Sequence, residues 1–168
     1  HIDYISAAAF IKVSSKVKFM EMKAEIEKRR KEKWYEFIFS VEILAISREI
    51  AEASLKEHIA KMENAPGMFI YEKKYFDVKE VKNPMKDVEL AYSHAVMMKL
   101  FIKDLYTALT AIMIFGPSSV EALGPDRKEI AIHEVQDIAN NVASLVHQFA
   151  AAGIGGLVVM PQPKPKKD

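Results

Sequence analysis

The chain has 168 residues, half of them hydrophobic, with 24 Lys or Arg against 23 Asp or Glu and no cysteine. Such a chain is long and apolar enough for one domain with a sizeable core, which excludes wholesale disorder, and the lack of cysteine excludes disulfides, thiolate metal ligands and Cys nucleophiles. The net charge of +1 hides a segregation: residues 1–33 carry +4, residues 153–168 carry +2 and the middle carries −5, a footprint of termini that touch nucleic acid or an acidic neighbour.

Residues 4–33 are expected to be helical, because Ala, Lys, Glu and Met dominate and neither Pro nor Gly occurs. Trp34 to Glu63 continues without a breaker. Trp34, Phe37, Ile38, Val41, Leu44 and Ala45 form one helical stripe, and Phe39, Ile43, Ile46 and Ile50 form another. A helix apolar on two faces belongs at the centre of a bundle. The loop signal Asn64-Ala65-Pro66-Gly67 ends it. Residues 68–82 hold two aromatic runs around Glu72-Lys73-Lys74 and predict a short β-hairpin or an extended crossover. Asn83 suits a helix cap and Pro84 a first helical position. The helix they open has the stripe Val88, Ala91, Tyr92, Ala95, Met98, Ile102, Leu105, Leu109 and Ile112, and it stops at Gly116-Pro117. Ser118–Glu121 and Asp126–Glu129 read as capping boxes. The second opens a last helix with Ala131, Val135, Ile138, Val142, Leu145 and Phe149 on one stripe, ending at Gly153. Beyond it, Gly155-Gly156, an apolar run and a Pro/Lys-rich end predict an extended tail.

The expected fold is therefore all-α: a basic helical arm (1–33), a helical bundle (34–152) with a hairpin-like insertion at 68–82, and an extended Pro/Lys tail (153–168). No run of 18 uncharged apolar residues is present, so no membrane span is expected, and no signal peptide is visible.

The arm is the most informative stretch. At about 100° per residue, Lys12, Lys16, Lys23 and Arg30 fall within roughly 40° of one another. Phe19 and Trp34 share that stripe, while Glu21, Glu25 and Glu32 lie opposite. Lys18, Lys28, Arg29, Lys31 and Lys33 add positive charge off the stripe. Cations sorted to one face can neutralise phosphates with little regard to sequence, and aromatics between them can stack. A solvated helix face, one laid on an acidic partner, or one on a membrane surface carries the same pattern. Lys73 to Phe76 is a second basic-aromatic spot, which also suits a solvated hairpin tip.

Catalytic and metal motifs are sparse. Leu55, Ala91, Ile130 and Ser144 stand three residues before His58, His94, His133 and His147, so the Glu-x-x-His pattern of di-iron bundles is absent. No His-Glu-x-x-His occurs. His133, Asp137, Asn140, Ser144 and His147 share a polar helix face, where His133 and Asp137 would suit a pair or a metal, and where a solvated face opposite a core stripe is the ordinary account. Ser118 and Ser119 are explained by capping, and Gly153 to Gly156 follows a helix instead of opening one, unlike a phosphate loop.

Two resemblances bear on function. Arg127 to Glu134, RKEIAIHE, has Arg, five residues, then His, which resembles the Arg-x4–6-His motif of the HEPN ribonucleases. That resemblance implies a metal-independent ribonuclease in which Arg127 steadies the phosphate and His133 acts as acid or base; Lys128 stands where that family often has Asn. The second is architectural. A basic N-terminal helical arm, a bundle and a terminal tail look like the major coat proteins of filamentous archaeal viruses, which implies a dimerising subunit that wraps double-stranded DNA. The Lys/Glu-rich, cysteine-free composition suits a heat-adapted source. The leading expectation is thus a non-enzymatic assembly protein, a filament or capsid subunit. It would bind nucleic-acid backbone, chiefly double-stranded DNA, through Lys12, Lys16, Lys18, Lys23, Arg29, Arg30 and Lys33. Other copies or a paralogous subunit would be its partners, the virion or cytoplasm its location, and no cofactor is needed. A HEPN-like ribonuclease or a helical protein-interaction adaptor is the alternative.

Overall fold

A computed structural model of the chain describes residues 3–153, with side chains from residue 15 onward. The described residues divide into two compact units, one up to Glu129 and one from Ile130. In the first, the order is α1 (Asp3–Lys31), β1 (Tyr35–Ala45), α2 (Arg48–Glu63), β2 (Met68–Tyr75), β3 (Lys79–Met85), β4 (Val88–Ile102), α3 (Leu105–Phe115) and β5 (Ser119–Gly124). The second holds α4 (Ile132–Ala151).

The strands form one five-stranded antiparallel sheet in the order β2-β4-β1-β5, with β3 also paired to β4. β1 and β2 lie on either side of β4 and are both antiparallel to it. They therefore run in the same direction, and α2 connects them. Setting aside α1 and the β3 extension, the order β1-α2-β2-β4-α3-β5 is the split βαβ, ferredoxin-like arrangement. Alternation along β1 decides its faces. Phe37, Phe39 and Val41 turn one way and meet Val96, Met98, Leu100 and Ile102 of β4, Leu55, Ile59 and Met62 of α2, and Ala108 and Ala111 of α3. This is the core, and burying each large apolar side chain in it is worth about 1.5–3 kcal/mol. The small Ala108 and Ala111 let α3 approach the sheet closely. Glu36, Ile38, Ser40 and Glu42 turn to the second face, with Phe101, Lys99, Met97 and Ala95 opposite them on β4.

Local chemistry sets the element ends. Ser47 caps α2, its Oγ accepting from Ile50 N at 3.2 Å, and Asp104 caps α3 by accepting from Thr107 N at 2.8 Å. Gly116 ends α3 in the left-handed conformation, with φ of 55°. Gly67 has φ of 76° and sits so close to α3 that a Cβ there would lie 3.3 Å from Thr107 Cγ2. His58 Nε2 lies 2.9 Å from the Phe115 carbonyl, tying α2 to the end of α3.

The sheet overturns the expected all-α helical bundle, and nothing in the fold supports the capsid and virion expectations. Residues 34–63 are a strand and a helix, not one helix, and residues 83–115 likewise split into strand and helix. Asn83 and Pro84 lie within β3 instead of capping a helix. Ser119 to Gly124 is a strand, so Ser118–Glu121 does not cap a helix. Residues 68–82 do contain strands, but β2 and β3 each pair with β4 and not with one another, so no hairpin joins them. The physical reason for the two long strands, β1 and β4, is the same. The second face carries Ile38, Leu44, Met97 and Phe101 beside its polar groups, and apolar residues on both faces blur a two-residue period. α4 follows the expected last helix, but its cap is Ala131, whose N–H donates to Glu134 Oε2 at 3.3 Å, and not Asp126. The expected tail lies outside the described residues from 154 on.

Candidate nucleic-acid interface

α1 ends in a tight cap. Lys33 N donates to Arg30 O at 3.1 Å and Trp34 N to Arg29 O at 3.0 Å, with Lys33 at φ of 54°. This is the Schellman pattern, in which a residue of left-handed conformation turns the chain out of the helix. Glycine normally fills that position, which is why the helix end was not legible at Lys33.

The turn brings the two arginines of α1 onto the second face of the sheet. Arg30 grips Glu36 with two N–H groups, Nη2 to Oε1 at 2.8 Å and Nε to Oε2 at 3.2 Å. Tyr71 reaches the same carboxylate from β2, its hydroxyl donating to Oε1 at 2.6 Å. A β-bulge between Ile70 and Glu72 gives β2 one residue more than β4 at Tyr71, and the Tyr71 ring lies 5.2 Å from that of Phe101. Glu36 is only 9% exposed, so its charge depends on these partners. The Arg30 hydrogen bonds hold its carboxyl below the ordinary value of 4.5, against the opposing effect of burial. Burial, then Glu36, pushes the Tyr71 hydroxyl well above its ordinary value. Arg29 lies over the Phe69 ring at 3.8 Å and within 5.1 Å of Trp34, and pairs with Glu25 one turn earlier. Its Nε is buried with no hydrogen-bond partner among the described residues.

The expected polyanion contacts therefore divide. Arg29 and Arg30 are engaged with their own chain, Arg30 while more than half of its side chain stays exposed. Lys16, Lys18, Lys23 and Lys33 are exposed, as are Lys28 and Lys31, and none of them forms an ion pair among the described residues. Lys23 Nζ stands 6.0 Å from the Phe19 ring, itself exposed. The Lys12 side chain lies outside the described residues. At the second basic spot Lys73 is paired with Glu63, and Lys74 lies 5.4 Å from the Phe76 ring. Arg127 is exposed in the segment between β5 and α4, beside Glu32, Lys33, Asp126 and Glu129. His133 is exposed in the first turn of α4 and belongs to the other unit.

Some interfaces are disfavoured by the same geometry. Four-stranded sheets that bind RNA do so by stacking bases on aromatics of their open face. Here Phe101 is fully buried, and Arg30 lies within 5.9 Å of its ring. The rest of the face offers Ile38, Ser40, Glu42, Leu44, Met97 and a Lys99 paired with Glu72 at 3.0 Å, and two further aromatics, Phe69 and Tyr71, are engaged by Arg29 and Glu36. Among the described residues no cluster of three His, Asp or Glu is placed to hold a metal, and no helix is long and apolar enough to cross a membrane. Sequence reasoning missed Glu36, Phe69 and Tyr71. The one available signal was a lone carboxylate inside the apolar run Tyr35 to Phe39.

No curated protein and no solved structure matches the chain. Residues 36–166 match the model of the MJ0538 family, a segment that begins at Glu36 and leaves out α1. The chain belongs to the MJ0538 family.

Proposed function

We propose that this chain is a non-catalytic assembly protein that contacts nucleic-acid backbone through α1. The observation that supports it is the division of charge along that helix. Its base is tied to the sheet by Arg29 and Arg30, while Lys16, Lys18 and Lys23 face solvent without carboxylate partners among the described residues. A helix of 29 residues spans about 43 Å at 1.5 Å per residue, so a clamped base holds a cationic rod of length comparable to a turn of duplex. Contacts of this kind read phosphates and not bases, and they weaken with salt by about 0.9 in the slope of log affinity against log salt for each phosphate neutralised.

Fluorescence anisotropy with mixed-sequence double-stranded DNA, from 50 to 200 mM salt, tests the proposal. Binding with a slope of about −2 to −4 is expected, and the pair Lys16→Glu/Lys23→Glu should weaken it at least tenfold while leaving the melting temperature within 1–2 °C. Absence of binding at 50 mM salt, or binding indifferent to the pair, would sink it.

A further inference from the structure

We propose that Glu36, Tyr71, Phe69 and Phe101 form a guanidinium pocket on the second face of the sheet, filled here by α1 and open to an arginine side chain of a partner protein when α1 is displaced. The inference uses none of the lysines and stands apart from the polyanion proposal.

The acceptor has the form that a guanidinium requires. Two N–H groups of Arg30 meet the two oxygens of Glu36 at 3.2 and 2.8 Å, a forked pairing that an ammonium cannot make. The carboxylate is positioned by the sheet itself. It stands on β1, and Tyr71 of β2 holds Oε1 at 2.6 Å, so the acceptor does not need α1 to be oriented. Aromatic faces complete the pocket, with the Arg29 guanidinium 3.8 Å from the Phe69 ring and the Arg30 guanidinium 5.9 Å from that of Phe101, the stacking that suits a weakly hydrated planar cation.

The internal occupant fits at a cost. Lys33 takes a left-handed conformation so that the chain can turn from α1 into β1, which a residue with a Cβ adopts unfavourably. Arg29 Nε is buried with no hydrogen-bond partner among the described residues, a desolvation cost set against its ring contacts and its pairing with Glu25. An arginine brought by another chain does not require the left-handed turn at Lys33. The four pocket residues all lie within 36–166, the segment matched by the family, whereas Arg29 and Arg30 precede it. The shared segment thus contains the pocket, and the part outside the match supplies its occupant.

The test empties the pocket in the full chain. In Arg29→Ala/Arg30→Ala the melting temperature is followed with N-acetyl-arginine amide and, as control, N-acetyl-lysine amide. The arginine compound should raise it by about 3–5 °C at ten times its Kd, the lysine compound should not, and neither should act on the wild type, whose pocket is filled. Adding Glu36→Gln should abolish the shift. Equal shifts from both compounds, no shift from either, or a shift that survives Glu36→Gln would overturn the proposal. Should the double variant fail to fold, Arg30→Ala alone, which keeps the Arg29 contacts, is titrated with the same two compounds and judged by the same outcomes.

Discussion

The two faces of the sheet are held in opposite ways. On one, α2 and α3 press Leu55, Ile59, Met62, Ala108 and Ala111 against Phe37, Phe39 and Val41 with hardly a polar atom between them. On the other, α1 touches down through two guanidinium groups, a buried carboxylate and a few aromatic rings. Apolar burial scales with area and tolerates small shifts. A forked ion pair depends on geometry, on ionisation and on salt. The first face therefore sets whether the chain folds, and the second sets where the arm points.

Substitutions on the two faces should separate these roles. Leu55→Ala opens a cavity in the apolar face and should cost about 2–5 kcal/mol by chemical denaturation; a much smaller loss would mean that α2 is not seated on the sheet as described. Glu36→Gln keeps the shape but replaces the ion pair, and should cost about 1–3 kcal/mol. Its effect should depend on pH in a definite direction. Because Arg30 holds the folded-state carboxyl below 4.5, its contribution is present above that value and is lost as pH falls through the lower folded value. Acid should therefore destabilise the wild type more than Glu36→Gln; parallel acid titrations would show that Glu36 is not ionised in the fold. Lys33→Gly should stabilise the chain by about 0.5–1 kcal/mol, since glycine adopts φ of 54° without a Cβ clash. Destabilisation instead would point to a role for the Lys33 side chain. The smallest effect is expected of His133→Ala, within about 0.5 kcal/mol in stability and without change in nucleic-acid binding. Metal-free RNA cleavage that this variant loses would favour the Arg127–His133 ribonuclease instead.

What the sequence disclosed, and what it hid, follows the same division. α1, the loop at Asn64 to Gly67 and α4 are legible because lysine-rich helical runs, Pro-Gly and a four-three apolar spacing are local signals. β1 and β4 are not, because Ile38, Leu44, Met97 and Phe101 occupy slots where alternation would place polar groups. The cationic stripe is legible as a pattern, but the pairing of its last member is not. Arg30 belongs with Lys16 and Lys23 by helical angle, yet the turn at Lys33 delivers it to Glu36, and no angular projection contains that turn. Tyr71 lies 35 residues from Glu36, and only the register of β2 on β4 brings them together.

β4 is flanked along most of its fifteen residues, by β1 on one side and by β2 and β3 end to end on the other. Three strands therefore share a single backbone spine. Its amide protons near Val96 to Leu100 should be the slowest in the chain to trade with deuterium, opening only when the molecule unfolds as a whole.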